Sequence, residues 1–286
     1  PQFSQEDEIV FPSGKFQWHQ FARRAGGVVK IVESCDGPLA ITFDQVSSKL
    51  QFNTTSSNLD ARDQEIINLS TNTLKNNVQD HIEDSIDRER SMYLGDLYAV
   101  SSCLLIHPQN YPYVKEMISQ FAQSQLPDGR FPSLTPSGMN QFIPTYSLMW
   151  NSLLDNYVNK TNDLKFAKEM YPYTQKSFNW VFNNVNSKGY LVHKNQNQDW
   201  WFFYDWTPLH TEGGISTILQ LEYLQSLKSA YHLSSLIKNP NQEYKIAADE
   251  LYQNLLKESY NAQTSKFSDS FSDNYQSKST LVTNAL

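Results

Sequence analysis

Cysteine is nearly missing from this chain: Cys35 and Cys103 are the only two among 286 residues. So wide a spacing, without a second metal-type pair, carries no disulfide or zinc framework and predicts two semi-buried thiols. Long apolar runs are also missing, and no charged-then-apolar segment opens the chain. We therefore expect no signal peptide, no membrane span and no membrane partner, which leaves the compartment open between cytoplasmic and secreted. Basic residues are the minority, 23 Lys and Arg against 30 Asp and Glu for a net charge of -7. Without a concentrated basic face, a nucleic-acid partner is excluded. The histidines are scattered and no HExxH motif occurs, so no catalytic metal is expected. Nucleophile elbows, phosphate-binding loops and dinucleotide fingerprints are absent as well, and no cofactor is expected.

What remains is rich in rings and in clustered acids. Aromatic residues make up 13% of the chain, a load that suits both core packing and a groove in which flat rings face sugars. From Asp84 to Asp96, four acids and two arginines fall within thirteen residues. Such a cluster is ordinarily a solvated surface. It is also what glycosidic cleavage requires: one carboxylic acid protonates the leaving oxygen, and other carboxylates hold hydroxyls and offset charge at the anomeric carbon. Glu89 lies between Arg88 and Arg90, so burial and cationic neighbours pull its proton affinity in opposite directions.

Read as D-x-x-x-R-E-R-x-x-aromatic-x-G-D, this stretch resembles the signature of the bacterial and fungal α-L-rhamnosidases, inverting glycosidases whose catalytic domain is a six-hairpin α/α toroid. Asp84, Arg88, Glu89, Arg90, Gly95 and Asp96 fall in register. The resemblance implies that Glu89 is the general acid and that Asp84 and Asp96 bind sugar hydroxyls, with Arg88 and Tyr93 in the same subsite. Tyr93 stands where the family commonly has Trp, and Ser91-Met92 is also unusual. In the resembling enzymes the general base is a Glu from a loop late in the toroid, beyond a point matching Leu286. Glu212 does not align with it.

Along the chain the apolar pattern changes period. Phe16-Gln17-Trp18, Gly27 to Val32 and Leu39 to Phe43 read as strands separated by turns at Gly26-Gly27 and Asp36-Gly37-Pro38. Residues 1–57 are thus expected to be a β-rich segment, of the kind that precedes the toroid in the resembling enzymes, and Arg23-Arg24-Ala25-Gly26 resembles a turn found there. After Asp60 the period becomes about 3.6, and helices are predicted over Arg62 to Asn77, Met92 to Ile106, Pro112 to Gln125, Thr145 to Val158, Leu164 to Asn184, Gly213 to Leu236 and Glu243 to Tyr260. Another is expected to begin near Ser279, because Leu281 to Leu286 reads as the interior of an apolar helix.

The expected fold is therefore mainly α: an incomplete six-hairpin α/α toroid over residues 58–286, preceded by the short β-rich segment. Six closed hairpins need two helices each, and seven with the start of an eighth fall short. We read the chain as a fragment, whose open flank predicts self-association or association with the missing part of the toroid. The fragment alone is expected to be inactive or nearly so.

A second informative segment runs from Asp199 to Pro208, D-W-W-F-F-Y-D-W-T-P. Indoles beside an Asp can bind a pyranose, ring against the apolar sugar face and carboxylate to hydroxyl. Phe202 and Phe203 serve equally well as a hydrophobic plug, a role that suits Trp200, Asp205 and Trp206 less. Phe203-Tyr204-Asp205-Trp206 also resembles an aromatic-x-Asp-Trp motif of the same family, which implies that Asp205 and Trp206 line the sugar pocket. Asp128-Gly129 reads foremost as a turn. Tyr146 and Trp150, four apart, read as core. The implied substrate is a carbohydrate, a terminal α-L-rhamnoside. Two other readings stay open: a non-catalytic carbohydrate-binding remnant, and another α/α-toroid glycosidase or a polysaccharide lyase.

Overall fold

The computed structural model describes residues 8–10, 14–17, 30, 32, 34, 37, 40–42, 60–85, 88–139, 141–193, 200–204, 206, 214–273 and 275–285. The strands expected before residue 57 lie largely outside these. By its internal packing the chain divides between Ser91 and Met92 into two compact units.

In the first unit the described helix is α1 (Ala61–Asn77). Asp60 caps it, its Oδ1 accepting from the amides of Arg62 and Asp63 at 2.9 Å each, while Lys75 stands in the last turn against the carbonyl end of the dipole. None of its residues is buried, and Ile66 and Leu69 are exposed. After α1 the chain reverses through an isolated bridge between Val78 and Ile82 and enters the acidic turn.

The second unit is an array of helices: α2 (Leu94–Leu104), α3 (Tyr111–Gln123), α4 (Pro144–Thr161), α5 (Leu164–Asn183), α6 (Thr217–Leu236) and α7 (Gln242–Glu258). Alternate helices are neighbours. The most extensive interfaces join α4 to α6 and α6 to α7, followed by α2 to α4, with α3 and α5 also packed against α4. This two-layer pattern, α2, α4 and α6 in one layer and the intervening helices in the other, is that of a partial six-hairpin α/α toroid beside a short sheet segment.

Small residues let α4 and α6 approach closely. Asn151 Nδ2 donates to Ser226 Oγ at 3.0 Å and to Ser177 Oγ of α5 at 3.2 Å, and Ser229 Oγ donates to Ser152 Oγ at 3.4 Å. Around this seam the core is filled by Trp150, Phe178, Tyr190, Leu219, Tyr223, Leu227 and Leu251, all 2% exposed or less. Trp150 stacks on Phe131 with ring centroids 4.3 Å apart, and its indole N–H donates to the Ile118 carbonyl at 3.3 Å.

Each predicted helix from Arg62 to Tyr260 is present, with ends that differ for local reasons. The helix expected from Gly213 starts at Thr217, because Ile215–Ser216 forms a short strand, β1, before Ser216 becomes the N-cap. The helix expected to reach Tyr260 stops at Glu258, because Tyr260–Asn261 (β2) pairs with Lys266–Phe267 (β3). Ser270–Ser272 (β4) then pairs with β1 on one side and with Tyr275–Gln276 (β5) on the other. Gly214 is obligatory at this junction, since a Cβ there would collide with the Phe271 carbonyl.

The eighth helix expected near Ser279 is instead a run of consecutive turns over residues 281–285. Their polar groups converge on Asp269, a fully buried carboxylate. Its Oδ1 accepts from the Thr280 amide and Oγ1 at 2.9 Å each and from Thr283 Oγ1 at 2.5 Å. Cys103, expected to be semi-buried, is exposed on α2.

Candidate functional site

The residues singled out from sequence are divided between the two units. Asp84, Arg88, Glu89 and Arg90 belong to the first, whereas Tyr93, Gly95, Asp96 and the aromatic segment belong to the second.

In the first unit the chain doubles back between Asp84 and Ser91. The Asp84 amide donates to the Ser91 carbonyl at 3.0 Å, and its Oδ1 accepts from the Ser91 amide at 2.9 Å. Oδ2 accepts from Ser85 Oγ at 2.9 Å, so the Asp84 side chain, 7% exposed, is satisfied locally. Arg88 bridges two acids, its Nη2 lying 3.4 Å from Glu89 Oε1 and 3.9 Å from Asp84 Oδ2. Glu89 keeps 37% of its side chain exposed and so can reach a ligand. Arg90 takes a left-handed backbone, φ 51°, costly for a residue with a Cβ and retained where surroundings over-determine it. The His81 ring helps to hold it, Nε2 lying 3.2 Å from the Arg90 carbonyl oxygen and Nδ1 3.0 Å from Asp80 Oδ1.

In the second unit, residues 131–135 tie the starts of two helices together. The Leu94 amide donates to the Ser133 carbonyl at 2.9 Å, the Thr135 amide to the Met92 carbonyl at 3.2 Å, and the Ile143 amide to Ser133 Oγ at 2.6 Å. Tyr93 is therefore fixed as the N-cap residue of α2, and Asp96 sits in its first turn, where the dipole favours a carboxylate. Gly95 lies against the Tyr146 ring of α4, which a Cβ would strike. Asp128-Gly129 is the turn it was expected to be. Asp128 Oδ2 accepts from Arg130 Nε at 2.8 Å, and Gly129, at φ 107°, lies under the Lys176 carbonyl.

The aromatic segment reverses part of its expected division of labour. Trp200 packs with the core, stacked on His193 at 4.7 Å and edge-on to Phe142 at 5.8 Å. Phe202, by contrast, is exposed, as is Trp201, and Trp206 is 74% exposed. Phe203 joins the exposed rings to the helices, 4.7 Å from Trp201, 5.3 Å from Trp206 and 6.5 Å from Tyr146. Asp205 and Glu212 lie outside the described residues.

Beside these rings is a cavity of about 380 Å³, lined by Thr145, Tyr146, Met149, Phe203, Tyr204, Ile218, Glu222 and the turn residues Leu281, Val282 and Ala285. Tyr146, expected to be core like Trp150, is half-buried and forms part of this wall. Tyr204 donates to Ser216 Oγ at 2.7 Å, which ties the aromatic segment to the α6 cap, and burial pushes its phenol up to about 12. Glu222 is the group that sequence reasoning missed. Only 7% exposed, it makes no hydrogen bond among the described residues, and burial pushes its carboxyl up to about 7. Across the array, Tyr98 of α2 bonds to Asn156, its phenol raised first by burial and also by the charges of Glu222 and Asp155. Farther along, His232 Nδ1 of α6 meets Asp155 Oδ1 of α4 at 2.6 Å, a pair that a separation of 77 positions conceals in the sequence. Burial raises the Asp155 carboxyl, against the opposing pull of His232.

A wider depression of about 660 Å³, between residues 186–189 and 249–254, is lined by hydrophilic surface groups with neither rings nor a buried acid. Among the described residues no group of three or more His, Cys, Asp or Glu is arranged to hold a metal ion, and no helix is long and apolar enough to cross a membrane.

The family model for the bacterial alpha-L-rhamnosidase 6 hairpin glycosidase domain matches residues 51–283. Among solved structures, a rhamnosidase from Klebsiella oxytoca with rhamnose bound is similar with a TM-score of 0.65 at 20% identity, over 78% of this chain and 43% of that one. The GH78 family rhamnosidase of Bacillus sp. GL1 follows at 0.62 and 16%, over 73% of this chain and 22% of that one. The Streptomyces avermitilis alpha-L-rhamnosidase complexed with L-rhamnose is similar at 0.56 and 14%, over 74% and 20% respectively. These likenesses establish the fold, and the chain spans less than half the length of each of these relatives. No curated protein matches the sequence.

Proposed function

The chain belongs to the bacterial α-L-rhamnosidase six-hairpin glycosidase family, and from that premise we propose that it carries the acid half of an inverting site for terminal α-L-rhamnosides. The observation that carries this reading is the acidic turn: Asp84 held by the Ser91 amide and the Ser85 hydroxyl, Glu89 open to a ligand, and Arg88 reaching both acids. The strained backbone at Arg90, between Glu89 and Ser91, supports the same reading, because a left-handed non-glycine residue is retained where geometry matters more than local stability.

In this mechanism Glu89 gives its proton to the glycosidic oxygen as the bond to the anomeric carbon breaks. Asp84 and Asp96 accept from sugar hydroxyls, and Arg88 fixes the orientation of both acids in the turn. We assign Tyr93, Asp205 and Trp206 to sugar binding as well, Trp206 offering an open ring face, and leave Trp200 to the core packing it makes with His193, Phe142 and Trp180. Inversion needs a second carboxylate about 6.5–9.5 Å from the acid to activate water, and we assign that base to the part of a closed toroid that this chain does not supply. We assign residues 58–286 to the toroid portion.

The test is an aryl α-L-rhamnoside offered to the 286-residue chain and to the protein at the full length of its reading frame. The full-length protein turns it over with inversion, read from the anomer first seen by NMR, and Glu89→Gln lowers kcat about 10²–10⁴-fold. The 286-residue chain alone shows no turnover. Hydrolysis by that chain that Glu89→Gln abolishes would contradict the assignment of the base elsewhere, and retention of configuration would contradict the inverting mechanism.

A further inference from the structure

Glu222 lies in the second turn of α6, between the core residues Leu219 and Tyr223. A carboxyl taken out of water normally recovers its lost hydration through donors fixed around it. Glu222 has none among the described residues, yet it borders an open cavity of about 380 Å³, within the range of small-molecule sites. The walls around it present the rings of Tyr146, Phe203 and Tyr204 and the apolar groups of Met149, Ile218, Leu281, Val282 and Ala285. No Lys, Arg or His lines the cavity among the described residues. An anionic ligand would therefore meet a second carboxylate with no cation to offset it.

We propose that Glu222 is a ligand-binding residue of this cavity, its carboxyl accepting from the hydroxyls of a neutral sugar ring whose apolar face lies against Tyr146, Phe203 and Tyr204. The idea rests on the carbohydrate reading above and adds to it a contact outside both sequence motifs. Sugar hydroxyls supply donors that the described residues do not, so binding favours the ionised carboxylate and releases a proton. The titratable neighbours are Tyr98 from α2, Tyr146 and, through Tyr98, Asp155 from α4, and Tyr204 from the aromatic segment. His232, farther along α6, is paired with Asp155.

The experiment is a titration of the 286-residue chain and its Glu222→Gln and Glu222→Ala variants with L-rhamnose and with methyl α-D-glucopyranoside, followed by NMR at pH 6 and pH 8. Thermal melts confirm that each variant is folded. In the wild type the affinity for one sugar or both rises several-fold from pH 6 to pH 8. At pH 8 both variants bind about tenfold more weakly, the cost of losing a hydrogen bond to a charged group, and show no pH response. Equal affinities in all three proteins, affinity that falls as pH rises, or no binding by the wild type would each overturn the proposal. Binding of the glucoside alone would support Glu222 while contradicting the rhamnoside. Loss of Glu89-dependent turnover would sink the family-level mechanism and leave this titration unaffected.

Discussion

Replacing Glu222 with Gln should make the chain more resistant to unfolding above neutral pH while leaving it unchanged in acid. The carboxyl, ordinarily near 4.5, is pushed up to about 7 by burial alone. Below pH 4.5 it is protonated in both folded and unfolded chains and contributes no pH dependence. As pH rises from there, the unfolded chain ionises freely and the folded chain does not, so stability is lost until pH passes the folded value near 7. At about 1.4 kcal/mol for each pH unit between the two values, the loss comes to roughly 3 kcal/mol. The amide of Gln has the same shape and no charge to bury, so the variant escapes this loss. Urea unfolding of both proteins at pH 4 and pH 8 measures the effect as a difference of differences, in which every other titrating group cancels. The variant should gain roughly 3 kcal/mol relative to wild type on going from pH 4 to pH 8. A relative gain below about 1 kcal/mol would refute the reasoning, since it would mean that the carboxylate is solvated or paired in the folded chain.

Other substitutions probe the framework. Gly95→Ala places a methyl group against the Tyr146 ring; displacement of that ring should lower Tm and cost about 1–3 kcal/mol despite the better helix propensity of Ala. Asp269→Ala strips the acceptor from Thr280 and Thr283, and leaving those donors unmatched should cost about 2–4 kcal/mol by chemical unfolding. Trp206→Ala, at a 74% exposed position, should change stability by less than about 0.5 kcal/mol while weakening sugar binding in the same NMR titration.

The helices were legible because their apolar faces repeat over ten or more residues, whereas a start such as that of α6 is set by a cap, Ser216, that the apolar pattern does not reveal. The short strands were not. β1 to β5 are two or three residues long, with no room for a period of two, and the pairing of β1 with β4 joins residues 215–216 to 270–271 across a whole helical hairpin. The turns over 281–285 read as helix because their apolar composition is visible in sequence, whereas the Asp269 carboxylate that organises them is not. The charged signature was legible as chemistry, since its acids and arginines are consecutive. Glu222 was not: in sequence it is one acid among apolar residues of a long helix, and only the packing of α4, the aromatic segment and the turns over 281–285 around it leaves it largely buried beside a cavity. Trp200 and Phe202 exchanged roles for a similar reason. Composition places five rings in a row, Trp200 to Tyr204, but the neighbours His193, Phe142 and Trp180 decide that Trp200 is packed.

The central claim is that Glu89 is the proton donor to a rhamnosyl leaving group, and the most direct test is the leaving-group dependence of Glu89→Gln in the protein at the full length of its reading frame. With an alkyl α-L-rhamnoside, whose alkoxide leaves only when protonated, the account predicts a loss of kcat/KM of about 10²–10⁴-fold. With 2,4-dinitrophenyl α-L-rhamnoside, which departs without help, it predicts a far smaller loss. Equal losses on the two substrates would contradict a general-acid role for Glu89, and no turnover of either by the wild type would contradict the rhamnosidase activity itself.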